Sequence, residues 1–95
     1  MLGVTFEWDE HKALSNLRKH RVSFDEAKLA LLDPGAIVEP DESDPTEERW
    51  RTTGLAASVM LFVVTIEPDE HTIRIISARR ATRHEQDRYH RQAHP

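Results

Sequence analysis

The segment Val59–Ile66 (VMLFVVTI), followed by Glu67-Pro68-Asp69-Glu70 and then Thr72–Ala78 (TIRIISA), constrains the fold more than any other stretch. Short runs this rich in β-branched residues favour extended backbone. Proline in second place of Glu67-Pro68-Asp69-Glu70 suits a type I turn, so residues 59–78 read as a β-hairpin. Both strands are apolar on both faces, which predicts a central hairpin covered on both sides. The apolar run falls far short of the roughly 20 residues that cross a bilayer, so no membrane association is expected. At 95 residues the chain fits one domain, 1–95, with one modest core. That excludes a two-domain enzyme and a site needing a deep, enclosed cavity.

The rest of the sequence must cover this hairpin. Val4 to Trp8 alternates and reads as a short strand. Asp9 is a good N-cap for a helix to about Lys19, with an apolar stripe of Ala13, Leu14 and Leu17. Asp9, Lys12, Asn16 and Lys19 form a second, polar stripe. Ser23-Phe24-Asp25-Glu26 is a capping box for a helix to Leu32, buried through Phe24, Ala27 and Leu31 and stopped by Asp33-Pro34-Gly35. Ala36–Glu39 and Arg49–Leu55 read as strands around an acidic loop, Pro40 to Pro45. Thr82-Arg83-His84-Glu85 is a further capping box, opening a very polar helix to about Arg91. The expected class is α+β: two N-terminal helices on a small twisted antiparallel sheet, with a C-terminal helix.

The net charge of −4 hides two unlike halves. Residues 1–48 hold 12 acids and 5 bases; residues 49–95 hold 5 acids and 8 bases, every one an arginine. From Glu39 to Glu48 there are six acids and no base, whereas from His71 to Pro95 there are six arginines and two acids. Arginine binds phosphate through a planar fork, so the C-terminal part is a candidate anion-binding surface, with the acidic stretch directed away from it.

The chain has no cysteine, which excludes disulfides, thiolate metal sites and a cysteine nucleophile. The N-terminus, Met1 to Glu7, lacks the basic and apolar regions of a secretion signal, so a cytoplasmic location is expected. Histidines 84 and 90 do not share a helix face, and His90 with His94 lies at a terminus, so no metal site and no cofactor are expected. Three scattered glycines make no phosphate loop. What remains is a set of bases, a few acids and a tyrosine. Metal-free RNA cleavage needs a base for the 2′-hydroxyl, cations for the phosphorane and an acid for the leaving 5′-oxygen. Composition supplies these groups without assigning them.

More specific are Phe6-x-Trp8-Asp9-x-x-Lys12-x-x-x-Asn16-x-x-Lys19-His20, then Val22-Ser23-Phe24-x-x-Ala27 and Asp33-Pro34. Glu47-x-Arg49 precedes Gly54, and Ile73-Arg74-Ile75-Ile76-Ser77-Ala78-Arg79-Arg80-Ala81-Thr82 is followed by Glu85 and Tyr89. Over about residues 6–89 this pattern resembles the BrnT family, small toxins of type II toxin–antitoxin systems. The resemblance implies a RelE-like fold and ribonuclease activity that arrests translation. It implies an RNA substrate and neutralisation by a BrnA-type antitoxin. It also implies a homodimer within the complex, with operator DNA contacted only through the antitoxin.

On the residues that match, the resemblance makes Lys19, His20, Glu47, Arg49 and Arg79 the catalytic candidates. Lys19 and Arg79 would stabilise charge, and Glu47, with His20 second, would do acid–base work. Arg51, Arg80, Arg83, Tyr89 and Trp8 are candidates for RNA contact, Tyr89 by stacking or as a proton donor. Trp8 also fits a core role, and Tyr89 also fits a helix anchor. Asp9 and Asn16 read better as a cap and a helix hydrogen bond than as catalysts. The sequence departs from the family at Arg21, where a glycine ordinarily ends the first helix, and in a longer central turn. Glu48 competes with Glu47 for the motif position. Two other functions fit the same features: a non-catalytic module that binds an antitoxin-like partner and tunes its DNA binding, and a plain RNA-binding domain.

Overall fold

The computed structural model describes residues 3–93; Met1, Leu2 and the His94 of the C-terminal histidine pair lie outside the described residues. The elements are β1 (Thr5–Glu7), α1 (Glu10–His20), α2 (Phe24–Leu31), β2 (Ile37–Asp41), β3 (Arg49–Ala56), β4 (Val59–Asp69), β5 (Thr72–Arg80) and α3 (Arg83–Ala93). They form one sheet in the order β1-β5-β4-β3-β2. The β5/β4, β4/β3 and β3/β2 pairs are antiparallel, but β1 runs parallel to β5, so the sheet is mixed rather than wholly antiparallel.

The helix starts follow their local chemistry. The Asp9 carboxylate accepts from the backbone N–H groups of His11 (2.8 Å) and Lys12 (3.1 Å). Ser23 and Glu26 form the reciprocal capping box. Arg21 adopts the left-handed conformation, φ 59°, and its N–H bonds the Leu17 carbonyl, so α1 ends as it would with glycine. A side chain there costs about 1 kcal/mol in backbone strain.

The central turn is tighter than the sequence indicates. β4 continues through Pro68 to Asp69, which pairs with Thr72, and Glu70-His71 makes the turn. The Asp69 carboxylate holds it by accepting from the His71 N–H (2.8 Å) and the Thr72 hydroxyl (3.1 Å). The proline is tolerated because pairing is already irregular between Ile66 and Asp69.

The hairpin is central in the sheet, as expected, but helices α1 and α2 cover only one of its faces. On that face Leu61, Val63, Ile75 and Ala78 pack with Val22, Phe24, Ala27, Ala30 and Ala56. The close approach of α2 depends on Gly54, since a Cβ there would lie 2.3 Å from the Ala30 carbonyl oxygen. Ala30, rather than Leu31, is the third fully buried position of α2; Leu31 is half-buried against the core.

The opposite face carries Phe62, Val64 and Ile66, each only half-buried. Helix α3 covers one corner of the sheet, where Ile37, Met60, Ala81 and Tyr89 cluster with Leu55. The expectation of cover on both sides therefore fails. With one polar C-terminal helix, the chain has no second apolar layer for that face.

A register shift between Val64 and Thr65 also changes which β5 residues share a face. Simple alternation places Ile75 with Ser77 and Arg79. In the structure Ile75 pairs with Thr65 and is buried, as is Ala78, while Ser77 and Arg79 pair with Val64 and Phe62 on the open face.

Candidate functional site

The open face presents Arg79 on β5 above Phe62 on β4, with the guanidinium carbon 4.1 Å from the ring centroid. Glu85 in the first turn of α3 grips the same guanidinium end-on. Nη1 donates to Oε1 (2.9 Å) and Nη2 to Oε2 (3.0 Å). Nη1 also donates to the Arg80 carbonyl (3.1 Å). Glu85 is itself fixed by the Thr82 capping box, its Oε1 accepting from the Thr82 N–H (2.8 Å). Burial alone would raise the Glu85 carboxyl, but the bonds from Arg79 and the Thr82 N–H outweigh it and hold it below its ordinary value.

Lys19 and His20 stand at the C-terminal end of α1, beside the β5 edge. A cleft of about 190 Å³ there is lined by Lys12, Ser15, Asn16, Lys19, His20, Ile76 and Ser77. β1 stops at Glu7, opposite Arg74, so that edge of β5 has no strand neighbour beyond that point. The Asn16 side chain takes over. It donates to the carbonyls of Ala78 (2.8 Å) and Val22 (2.9 Å) and accepts from the Ala78 N–H (3.1 Å). This clamp fixes α1 against β5 and carries Lys19, one turn further on, to the cleft. Ser77 lines that cleft and shares the open face with Arg79, so the two places are continuous.

Glu47 and Arg49 lie elsewhere. Glu47 Oε1 accepts from Arg49 Nε at 2.7 Å, and Asp44 lies 3.5 Å from the same guanidinium. The hydrogen bond that Arg49 donates to Glu47, then the charges of Glu47, Asp44 and Asp41, raise the Arg49 pKa. Glu48 is exposed and has no such bond. Arg49 adjoins the Trp50–Thr65 pair, whereas Arg79 pairs with Phe62. Two strands across and four residues along give a backbone separation of roughly 16 Å. Arg49 thus lies on the same open face as Arg79 but at its far end, with Glu47 just before it, while Lys19 and His20 stand at the β5 edge beside Ser77.

The remaining candidates fall into distinct settings. Arg51 lies 3.5 Å from Glu39, which also accepts from Arg88 at 2.6 Å. The Arg88 bond, more than any other cause, lowers the Glu39 carboxyl. Arg80 is exposed on the face opposite Arg79 and borders a small cleft with Ser58 and Gln86. Arg83 is exposed and lies 3.5 Å from Asp87. Tyr89 is buried, its hydroxyl donating to Asp33 at 2.7 Å, a bond that together with burial raises its pKa. This is the anchoring arrangement; the ring presents little surface for a base to stack on. Trp8 packs edge-on against Phe24, with centroids 6.0 Å apart, and contributes to the core.

Among the described residues no acid of the Glu39–Glu48 stretch forms a salt bridge with Arg79 or Lys19; the stretch neutralises other bases. Glu39, Asp44 and Glu47 engage Arg49, Arg51 and Arg88. Among the described residues Lys12, Lys19 and Arg80 form no salt bridge. Sequence reasoning missed Phe62, and took Glu85 only as a cap. The cross-strand neighbours of Arg79 could have suggested Phe62, but only the register fixes the pair.

Residues 8–85 match the family profile described as ribonuclease toxin, BrnT, of type II toxin–antitoxin system. No curated protein matches in sequence. Among solved structures the chain is similar to the 1.1 Å crystal structure of the Brucella abortus ribonuclease toxin BrnT. The TM-score is 0.68 with 24% identity, covering 84% of this chain and 99% of that one, a likeness of fold. With the profile covering most of its length, the chain belongs to the BrnT family of ribonuclease toxins of type II toxin–antitoxin systems.

Proposed function

We propose that this chain is an endoribonuclease that cleaves RNA without a metal ion, using the open sheet face and the cleft beside α1. The observation that carries this reading is the continuity, through Ser77, between a rigidly held Arg79 and the Lys19 and His20 of the α1 cleft. Arg79 and Lys19 would stabilise the charge that builds on the phosphorane. His20 is the acid–base group this geometry favours, because Glu47 is bound to Arg49, whose backbone lies roughly 16 Å along and across the sheet from that of Arg79. Glu47 and Arg49 would instead brace the β2–β3 loop. Arg80 and Arg83, exposed at the rim, would contact RNA backbone, and Arg51 would do so on the open face.

By family, cleavage would arrest translation in the cytoplasm and be suppressed by a BrnA-type antitoxin, through which a toxin homodimer would meet operator DNA. Leu14, Leu17, Leu29, Leu32 and Val38 are all exposed, and this supports a protein partner over the helical side. The test is cleavage of free and ribosome-bound RNA in EDTA, together with growth on expression. Cleavage and growth arrest are expected, both lost in Arg79→Ala and Lys19→Ala. A protein that binds an antitoxin tightly but cleaves no RNA and leaves growth unchanged would overturn the reading in favour of a non-catalytic module.

A further inference from the structure

Arginine has five N–H donors in one plane. In Arg79 both hydrogens of Nη1 are used, one by the Arg80 carbonyl and one by Glu85 Oε1, and one hydrogen of Nη2 is used by Glu85 Oε2. Among the described residues nothing accepts from Nε–H or from the second hydrogen of Nη2. These two lie side by side on one edge of the guanidinium and form a single two-pronged fork. The Phe62 ring packs against the guanidinium, and the Arg79 side chain remains 37% exposed. The fork is therefore open to solvent while the rest of the group is held.

We infer that Glu85 is a positioning residue. It holds Arg79 so that only the Nε–Nη2 edge is offered, and that edge takes the two non-bridging oxygens of one RNA phosphodiester. This rests on the RNA reading above and assigns Arg79 a specific partner. Such a fork matches a phosphate geometrically, whereas a free arginine must give up rotamer freedom to present one. Glu85 carries an opposing effect, because its charge offsets that of Arg79. The two effects have opposite signs when the charge is removed. Losing the grip weakens phosphate binding, and losing the negative charge strengthens it. Three hydrogen bonds and the Phe62 contact fix the guanidinium here, and the phosphate site is the adjacent edge, which shares Nη2 with the carboxylate but uses its other hydrogen. The grip should win.

Glu85→Gln is the informative change, because glutamine also serves at the third position of a capping box and leaves α3 capped. Affinity for a 2′-O-methyl oligoribonucleotide, which has no free 2′-hydroxyl to attack, would be measured in the parent, Glu85→Gln, Arg79→Lys and the double variant. Melting temperatures and RNA cleavage would be followed in parallel. The expected result is roughly tenfold weaker binding per folded molecule in Glu85→Gln, beyond any fall in melting temperature from the lost ion pair, with no further loss when Arg79 is already lysine. Tighter or unchanged binding, or a loss that persists in the Arg79→Lys background, would overturn the inference. Should Glu85→Gln fold poorly, the parent protein decides by NMR. A persistent Arg79 Nε–Hε signal that shifts on adding the oligonucleotide supports the positioned fork, and a signal indifferent to it refutes the fork. Glu85-dependent binding without cleavage of RNA would remove the ribonuclease reading and leave this one standing. Cleavage and binding both indifferent to Glu85 would do the reverse.

Discussion

Replacing Asn16 with alanine should be among the most damaging single changes on the surface of α1. Asn16 is 7% exposed and spans 62 positions in sequence to reach Ala78. Its side chain makes three hydrogen bonds, to the Val22 and Ala78 carbonyls and from the Ala78 N–H. At a net value of about 1 kcal/mol each, their loss costs about 3 kcal/mol. The Ala78 N–H and carbonyl, at a residue 1% exposed, would be left facing α1 without a strand to replace the amide. A domain of this size has roughly 5–15 kcal/mol of stability in all. The melting temperature should therefore fall by about 15 °C, measured by circular dichroism and supported by urea unfolding. Asn16→Asp should do at least as much harm at neutral pH, since a carboxylate cannot donate and would face two carbonyl oxygens. A shift of less than about 3 °C for Asn16→Ala would refute the claim that this residue substitutes for the missing strand. So would a full loss of RNA cleavage at unchanged stability, which would make Asn16 part of the chemistry.

Other outcomes follow from neighbouring contacts. Gly54→Ala places a methyl 2.3 Å from the Ala30 carbonyl oxygen, so α2 must shift; a loss of about 1–3 kcal/mol in urea unfolding is expected. Tyr89→Phe removes the hydroxyl that Asp33 accepts from and should cost about 1 kcal/mol in the same assay, with RNA affinity per folded molecule unchanged; a selective loss of affinity would restore the stacking role. Stability should also fall in acid. Burial raises the Asp33 carboxyl, but the Leu55 N–H, the Tyr89 hydroxyl and the Gly35 N–H outweigh it and bring it below its ordinary value; Glu85 is lowered likewise. A carboxyl depressed in the folded state contributes stability above its unfolded pKa and loses it as pH falls through the folded value. The melting temperature should be flat near neutrality and decline below about pH 5, less steeply in Asp33→Asn.

Much of the fold is legible in the sequence because its signals are local. Asp9, Ser23 with Glu26, and Thr82 with Glu85 each mark a helix start through groups within three positions of one another. The central hairpin is marked by its apolar content. The motif that carries the family, Trp8 to His20 and Arg74 to Arg79, is likewise visible without coordinates. Residue type and spacing suffice for these.

The tertiary structure decided which side chains meet. A single register shift in β5 moved Ile75 into the core and left Ser77 with Arg79 on the open face. The early end of β1 turned Asn16, on what looked like an exposed polar stripe, into a buried clamp. In α1 the side toward the sheet is chosen by that clamp, which is why Leu14 and Leu17 remain exposed. Pairing across the sheet separated Glu47 from Arg79, although both belong to one motif set, and brought Glu85 onto Arg79 instead. Caps and strand propensity act over a few residues and are written in the chain. Facing partners depend on contacts between segments tens of residues apart, where a shift of one residue in register reverses a face.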